Sequence, residues 1–251
     1  MTAMSSRFGL RALVTRPRAE AAGLADALAS RGIEAILEPM LDIHYRDAPA
    51  PDLAGVQAIL CTSANGVRAL ARLSTQRDCP LFAVGESTAG RARAEGFGRV
   101  ESAGGNVADL ARLARDRLRP GDGRLLHVAG TDIAGDLAGD LGASGFDVQR
   151  AVLYEARPAV ALSAGTARAF ASGIVDFALF FSPRTAAIFA GLAEHAGVIA
   201  ALRGVTAVSI SAAADSALAG LGFHEHCTAD TPDQRGLLAA LDRLLLERRR
   251  A

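Results

Sequence analysis

The stretch "LLHVAGTDIAGDLAGDLGASGFDVQRAVLY" (residues 125–154) contains the pattern that decides the fold. An apolar run leads into a turn of small residues, then into leucines at 137 and 141, then into Gly145 and a second apolar run. Leucines four positions apart share one face of a helix, and glycine is the usual residue just past a helix end. The stretch therefore predicts strand, helix and strand, the unit from which parallel sheets are built.

The same plan occurs near the start of the chain. The stretch "LRALVTRPRAEAAGLADALASRGIEAIL" (10–37) has leucines and a glycine at the same spacing, 113 positions earlier. Each copy continues into an apolar segment that ends in a tyrosine, Tyr45 in one and Tyr154 in the other. Three further pairs of segments repeat: "AILCTSANGVRAL" (58–70) with "ALFFSPRTAAIFAGL" (178–192), "LFAVGESTAGRARAEGF" (81–97) with "TAVSISAAADSALAGLGF" (206–223), and "NVADLARLARDRL" (106–118) with "QRGLLAALDRLLLER" (234–248).

The order of the repeats predicts an α/β protein made of two similar five-stranded parallel-sheet domains of flavodoxin-like type. The second domain is inserted into the first. Residues 1–37 plus 161–251 form the discontinuous domain, and residues 47–150 form the inserted one. The two crossings, 38–46 and 151–160, are apolar and β-prone, so we expect a two-stranded β connection and not a flexible linker. Each crossing contains one tyrosine, Tyr45 in the first and Tyr154 in the second, and each tyrosine either faces a ligand or packs in a core.

Composition excludes several classes of protein. Acidic and basic residues balance at 27 each, which argues against a nucleic-acid partner. Every basic residue is arginine, so no lysine Schiff base can form. The chain has no apolar run near the ~20 residues of a membrane helix and no signal-peptide pattern. We therefore expect a cytoplasmic protein without membrane contact, and a disordered extension over the first six residues.

Turns that follow the predicted strands share a chemistry suited to anions. In open parallel sheets ligands bind beyond the carboxyl ends of the strands, where helix N-termini offer N–H groups and a favourable dipole. The alternative for each hydroxyl is that it only caps its helix. The candidate binding residues are Arg16, Thr62, Ser63, Ser87, Thr88, Gly130, Ser182, Arg184 and Ser211.

Other familiar site motifs are missing from the sequence. Neither G-x-G-x-x-G after the first strand nor G-x-x-x-x-G-K-[ST] occurs, so dinucleotide and nucleoside-triphosphate sites lose their usual support. His224 and His226 have the spacing of a metal pair but lack a third ligand, and we predict a solvated edge strand there. No metal site is expected.

The order of the motifs resembles the uroporphyrinogen-III synthase family, over nearly the whole chain. The resemblance is carried by "LVTRPRAEAAGLADALASRGIEAILEPMLDI" (13–43), "CTSANGVRAL" (61–70), "AVGESTA" (83–89), "VLYEARP" (152–158) and "FFSPRTAAIF" (180–189). It implies two α/β domains, one inserted into the other, and a carbon–oxygen lyase of tetrapyrrole (haem) biosynthesis that needs no cofactor. The implied substrate is hydroxymethylbilane, a linear tetrapyrrole with an acetate and a propionate on each ring. The enzyme releases water, inverts the terminal ring and closes the macrocycle.

The resemblance also implies roles for individual residues. Tyr154 matches a family tyrosine that hydrogen-bonds or protonates the departing hydroxyl, and the Thr62-Ser63 turn, Thr88 and Ser182 match family hydroxyls. Arg16 and Arg184 are our choices as carboxylate partners. One departure concerns Ser211-Ala212-Ala213-Ala214, where many members have Gly-Pro-Thr-Thr, so that two threonine hydroxyls are missing here.

Partners and rival functions complete the expectations. We expect a monomer that acts on a small-molecule substrate and makes a transient contact with the preceding enzyme of the pathway. One rival is a two-lobed cytoplasmic small-molecule binding protein, against which the absence of an export signal and of tryptophan argues. The other is a tandem receiver-like module, which would need acidic clusters at the strand ends.

Overall fold

Parallel strands alternate with helices in the computed structural model, which describes residues 9–132 and 135–250, and the side chains of these up to residue 248. The expected extension at residues 1–6 lies outside the described residues. In chain order the elements are β1 (Leu10–Val14), α1 (Arg18–Ala29), β2 (Ile33–Leu37), β3 (Leu41–Tyr45), β4 (Val56–Cys61), α2 (Ala64–Leu73), β5 (Leu81–Ala83), α3 (Glu86–Ala94), β6 (Val100–Ser102), α4 (Val107–Arg117), β7 (Arg124–Gly130), α5 (Leu137–Gly142), β8 (Val148–Pro158), α6 (Ala164–Ala171), β9 (Phe177–Phe180), α7 (Pro183–His195), a 3₁₀ helix (Ile199–Gly204), β10 (Thr206–Ser209), α8 (Ala212–Ser216), β11 (Glu225–Thr228) and α9 (Gln234–Arg250).

The chain divides into two compact units. The first comprises the described residues up to Asp42 and from Arg157 onward, and the second is Ile43–Ala156. The first unit contains a five-stranded sheet in the order β11-β10-β9-β1-β2, with parallel pairing throughout. The other sheet has the order β3-β8-β7-β4-β5-β6, and its pairs from β8 to β6 are parallel. The prediction of an α/β fold with parallel-sheet cores is confirmed.

Helices cover both faces of each sheet because neighbouring strand residues point to opposite sides. In β1, Leu13 packs into the cluster that contains Phe180 and Phe189, whereas Val14 packs into the cluster that contains Leu24 of α1. The four residues of β9 are all fully buried. A short run that is apolar at every position, as in β9, therefore forms a strand that is buried on both faces, as the sequence predicts.

The two crossing segments, for which we expect a two-stranded β connection, lie beside each other at the edge of the six-stranded sheet. β8 runs unbroken to Pro158, and β3 lies beside it as the outermost strand of the six-stranded sheet. Backbone hydrogen bonds join Arg46 N–H to Leu153 O (2.9 Å) and Ala159 N–H to Met40 O (3.0 Å), so the two strands run antiparallel. The ladder of β7 and β8 simply continues into the crossing, which makes the connection part of a sheet.

One charged residue of the first crossing is buried. Glu38 is 6 % exposed and accepts hydrogen bonds from Ser163 N–H (2.8 Å), from Ser163 Oγ (2.6 Å) and from the Thr166 hydroxyl. All three donors belong to the start of α6, where N–H groups lack intrahelical partners. Glu38 thus fixes the beginning of the helix that follows the second crossing.

Candidate active site

Helix N-termini in the Ile43–Ala156 unit follow directly after strands that end together. Thr62 and Ser63 follow β4, and Ser63 caps α2 by accepting the Asn65 N–H at 3.0 Å. Gly85 is the cap residue of α3, so that Ser87 and Thr88 lie in the first turn, with Ser87 exposed and Thr88 only 5 % exposed. The parallel pairing of β4 with β5 and β7 brings these turns and the end of β7 to one edge of the sheet.

The ring of Tyr154 occupies the space that a side chain at Gly130 would fill. A Cβ atom built on Gly130 would lie 2.8 Å from Cε2 and 2.9 Å from Cζ of Tyr154. On another side of the ring, a Cβ atom on Gly66 of α2 would lie 3.8 Å from Cε1 of Tyr154 and 3.2 Å from Val128 O. Tyr154 is 8 % exposed in this seat. Two glycines therefore fix the ring between the end of β7 and the first turns of α2.

An irregularity in β8 turns the tyrosine toward this seat. Ala129 pairs with Val152, but the next residue, Gly130, pairs with Tyr154, so that one extra residue stands in β8. Leu153 and Tyr154 consequently both pack into the same core cluster, although successive strand residues normally face opposite sides. Bulges of this kind re-aim a side chain, and they occur often beside functional sites.

Arg150 closes the end of β7 from the other side. Its Nη2 donates to the carbonyl oxygens of Gly130 (2.6 Å) and Thr131 (3.0 Å). Arg150 pairs in the sheet with His127, which is 3 % exposed and whose Nε2 has no hydrogen-bond partner. Burial, and to a smaller degree the charge of Arg150, lowers the pKa of His127 to about 4. His127 is therefore neutral at physiological pH, and sequence reasoning had assigned no role to either residue.

The other unit has a similar series of turns. Ser182 caps α7, accepting the Thr185 N–H at 3.1 Å, and Ser211 caps α8, accepting the Ala214 N–H at 3.3 Å. Arg184 is exposed in the first turn of α7. β9 and β10 are parallel neighbours, so these turns lie at one edge of their sheet. Each capping oxygen accepts one backbone bond, and the O–H of Ser182 donates to Thr185 Oγ1 at 3.0 Å because the Thr185 hydroxyl itself donates to Ser182 O.

Arg16 is held within its own unit. Its guanidinium forms an ion pair with Glu20 (3.0 Å), donates to Gln234 Oε1 (2.7 Å) and stacks 4.6 Å from the ring centroid of Phe181. Nε of Arg16 is buried without a hydrogen-bond partner. The sequence had suggested a carboxylate partner at this position, and the carboxylate that Arg16 contacts here is Glu20.

Two searches of the described residues concern other kinds of site. Within residues 9–132 and 135–250, no group of three or more His, Cys, Asp or Glu side chains is arranged to hold a metal ion. His226 instead contacts Asp215 at 2.9 Å and lies on β11, at the edge of its sheet. Across the same part of the chain, no helix is both long and apolar enough to cross a bilayer.

Comparisons with known proteins identify relatives of the chain. The family model of uroporphyrinogen-III synthase HemD matches residues 22–239. The uroporphyrinogen-III synthetase of Helicobacter pylori is 19 % identical with a TM-score of 0.63, covering 94 % of this chain and 99 % of its own. A mutant uroporphyrinogen III synthase from the extremely thermophilic bacterium Thermus thermophilus is 19 % identical with a TM-score of 0.56, covering 95 % and 99 %. At these identities the structural likeness shows the fold. No curated protein matches the sequence.

Proposed function

The chain belongs to the uroporphyrinogen-III synthase family, and from that premise we propose how its residues perform the cyclisation. Members of the family are hydro-lyases of tetrapyrrole biosynthesis, and the substrate is a linear tetrapyrrole. The family match favours the enzyme over the rival of a two-lobed binding protein. The observation that carries the proposal is the family match over residues 22–239, which includes all but one of the candidate site residues.

The reaction asks more of geometry than of acid–base strength. Hydroxymethylbilane loses its terminal hydroxyl easily, and the spontaneous product is the isomer without ring inversion. An enzyme must therefore hold the chain so that the inverted attack is nearer than the direct one. About 2.7 kcal/mol of differential positioning gives roughly a hundredfold preference. A site without a strong catalytic motif is compatible with that task.

We assign the binding of the substrate's carboxylates to the hydroxyl-bearing turns of both units. The first-turn N–H groups of a helix and the helix dipole attract anions, and a serine hydroxyl can donate a hydrogen bond to a carboxylate. The residues we assign are Thr62, Ser63, Ser87, Thr88, Gly130, Ser182, Arg184 and Ser211. In place of the missing hydroxyls at Ala213 and Ala214, we propose that Ser211 and the N–H groups of the first turn of α8 act.

Arg16 takes a secondary place in the proposal. To bind a substrate carboxylate it would have to exchange the Glu20 carboxylate for that of the substrate, because one face of its guanidinium already stacks on Phe181. Such an exchange replaces one ion pair by another and adds little net affinity. We therefore expect Arg16→Gln to raise KM by less than about threefold.

Tyr154 is our candidate for the proton donor to the departing hydroxyl. Its ring is fixed by Gly66 and Gly130, and a phenol O–H can donate a hydrogen bond. Positioning carries most of the selectivity, so loss of the phenol O–H should slow the reaction without abolishing it. General acid–base assistance typically contributes about 10²–10⁴-fold.

The test is to incubate the purified protein with fresh hydroxymethylbilane and to separate the isomers formed. We expect isomer III at a rate far above the spontaneous closure. Formation of isomer I alone at the spontaneous rate would reject the enzyme. Tyr154→Phe keeps the ring in its seat and removes only the O–H, so a fully active variant would remove the proton-donor role while leaving the family assignment intact.

The remaining expectations concern assembly and location. We propose that the protein acts as a cytoplasmic monomer that receives its unstable substrate through transient contact with the preceding enzyme. Light scattering at micromolar concentration tests the monomer. The contact is tested by measuring the yield of isomer III with and without the preceding enzyme at the same concentration of free substrate. A higher yield in the presence of the preceding enzyme supports the contact.

A further inference from the structure

The turn that follows β7 is held by Arg150 and by the backbone of Tyr154. Gly130 is the last residue of β7, and Thr131 comes directly after it. The Thr131 N–H donates to Tyr154 O at 3.0 Å. From the neighbouring strand β8, Nη2 of Arg150 donates to Gly130 O at 2.6 Å and to Thr131 O at 3.0 Å. Backbone oxygen atoms need hydrogen-bond donors, and at a strand end the ladder cannot supply all of them, so a side chain does so here.

Both hydrogen bonds of Arg150 come from a single nitrogen atom. Nη2 carries two hydrogens, and the planar guanidinium holds them in fixed directions. The carbonyl oxygens of two successive peptide groups are therefore tied to one rigid donor. Hydrogen bonds from a charged donor are also stronger than those from a neutral one. Arg150 thus restrains the backbone of the turn more firmly than a neutral side chain would.

Arg150 and the ring of Tyr154 approach this backbone from opposite faces of the sheet. Val128 packs in the cluster that contains Tyr154. Successive residues of a strand face opposite sides, so His127 faces away from that cluster. Arg150 pairs with His127 in register and shares its face. The guanidinium therefore reaches the turn from behind the tyrosine.

Gly130 connects the guanidinium to the ring. A Cβ atom on Gly130 would lie 2.8 Å from Cε2 of Tyr154, so the ring lies directly against the backbone whose carbonyl Arg150 holds. The contact on the other side is looser, since a Cβ atom on Gly66 would lie 3.8 Å from Cε1. A shift of the Gly130 peptide would consequently move the surface against which the phenol is packed.

The neutral state of His127 favours this position of Arg150. Burial lowers the pKa of His127 to about 4, and the charge of Arg150 lowers it further in the same direction. The imidazole is therefore uncharged at physiological pH and does not repel the guanidinium beside it. The charge of Arg150 remains available for its two carbonyl partners.

We propose that Arg150 is a positioning residue of the active site, which holds the Gly130-Thr131 turn so that the phenol of Tyr154 keeps its place. Its effect on the reaction rests on the proposed function of Tyr154. Arg150 acts through that ring and needs no contact of its own with the substrate.

Kinetics with hydroxymethylbilane test the effect on the reaction. Arg150→Met removes both donors and should lower kcat about tenfold while KM stays within about twofold, because the ring is displaced and the binding turns are not. Arg150→Lys keeps a charged group with several N–H donors and should retain kcat within about threefold. Arg115→Met on α4 is the matched control, since Arg115 is also exposed and its loss changes the net charge equally; its kcat and KM should stay at the wild-type values. Urea unfolding shows whether each variant is folded at the assay temperature.

A double variant shows whether Arg150 acts through the tyrosine. With phenylalanine at position 154 there is no phenol to position, so adding Arg150→Met to Tyr154→Phe should lower kcat by less than about twofold more. A role that is only structural would lower kcat by the same factor in both backgrounds, and that result would overturn the proposal. A raised KM with unchanged kcat in Arg150→Met would also overturn it, because Arg150 would then bind the substrate itself.

A spectroscopic measurement separates this proposal from the proposed function. The chain has two tyrosines and no tryptophan, so in a Tyr45→Phe background the near-ultraviolet circular dichroism of tyrosine comes from Tyr154 alone. That signal requires fixed packing, so Arg150→Met should lose most of it and Arg150→Lys should keep it. Such a loss supports the positioning of the ring even if the wild type forms only isomer I, a result that would reject the enzyme. An unchanged signal in folded Arg150→Met would overturn the proposal and leave the function standing.

Discussion

Gly130→Ala is the substitution that tests most directly how Tyr154 is held. The new Cβ atom would lie 2.8 Å from Cε2, 2.9 Å from Cζ and 3.3 Å from Oη of the tyrosine. Ordinary carbon–carbon contacts are about 3.5–4.0 Å, so the ring must move by roughly 0.7 Å or rotate. Gly130 is not among the described glycines with positive φ, so alanine introduces no backbone strain. The cost is one of overpacking, about 1–3 kcal/mol in the free energy of unfolding.

Activity should fall together with stability, because in our proposal the phenol of Tyr154 donates to the departing hydroxyl, and a displaced phenol would no longer reach it. A misplacement of about 1 Å can cost on the order of a hundredfold in rate. The measurements are urea unfolding and isomer III formation for wild type, Gly130→Ala, Tyr154→Leu and the double variant. Leucine lacks the ring atoms that the new methyl would overlap. With leucine at position 154, Gly130→Ala should therefore lower the free energy of unfolding much less than it does in the wild type, which corresponds to a coupling energy of about 1–3 kcal/mol between the two positions.

A matched control separates the clash from any general effect of adding a methyl group. Gly90 of α3 is exposed, and a Cβ atom there would meet nothing within 4 Å. Gly90→Ala should stabilise the protein by up to about 1 kcal/mol through helix propensity. One contrary result is that Gly130→Ala proves as stable and active as the wild type, and another is that it lowers the free energy of unfolding by the same amount whether tyrosine or leucine stands at position 154. Either result would show that Gly130 does not make room for the ring and that the reasoning is wrong.

Three further substitutions test other parts of the structure. Ser63→Asp retains a good N-cap, so the free energy of unfolding should change by less than about 0.5 kcal/mol, while the added charge should raise KM for hydroxymethylbilane severalfold; an unchanged KM would mean that Ser63 only caps α2. Glu38→Ala leaves the buried donors of α6 without their acceptor and should cost about 1–3 kcal/mol in urea unfolding, against less than about 1 kcal/mol for the exposed Glu34→Ala. His127 has a folded-state pKa of about 4, below its unfolded value near 6.5, so the free energy of unfolding falls as the pH is lowered through this window, by about 2 kcal/mol between pH 7 and pH 5. His127→Leu should lack that loss. If the unfolding free energy of both proteins depended equally on pH, the assignment would be contradicted.

The elements themselves could be predicted because their signals are local. Leu24 and Leu28 mark the buried face of α1, and both are fully buried. Gly32 follows that helix with φ of 73°, a conformation in which glycine carries no steric penalty. The run "FALF" at 177–180 forms a central strand because it is apolar on both faces. Periodicity and turn chemistry act over a few residues and need no knowledge of the partner.

The arrangement of the site depends on contacts that no local pattern reveals. The bulge at Leu153 arises from the pairing of β8 with β7, and the alternation of apolar and polar residues along the sequence does not predict it. The close approach of Gly66 to Val128 O is set by the packing of α2 on β7. Likewise, Gln234 is far from Arg16 in the sequence, and only the fold brings its Oε1 to the guanidinium of Arg16. Long-range packing therefore decides whether a polar group is available to bind a ligand or is paired with another residue of the chain.

The serines of the turns illustrate why fold and site are difficult to separate in this protein. A hydroxyl that caps a helix is required by the unpaired N–H groups of the first turn, and those same groups make the turn attractive to a carboxylate. Ser63, Ser182 and Ser211 all satisfy the first requirement. A binding surface made from caps needs little sequence beyond what the fold already demands, so its members can vary as long as a small cap remains. The alanines at 213 and 214 are consistent with that tolerance, because the cap at Ser211 persists where the neighbouring hydroxyls are lost. Tyr154, whose seat depends on two glycines and a bulge, lacks this freedom, and the chemistry of the reaction should therefore depend on it more sharply than the binding depends on any one serine.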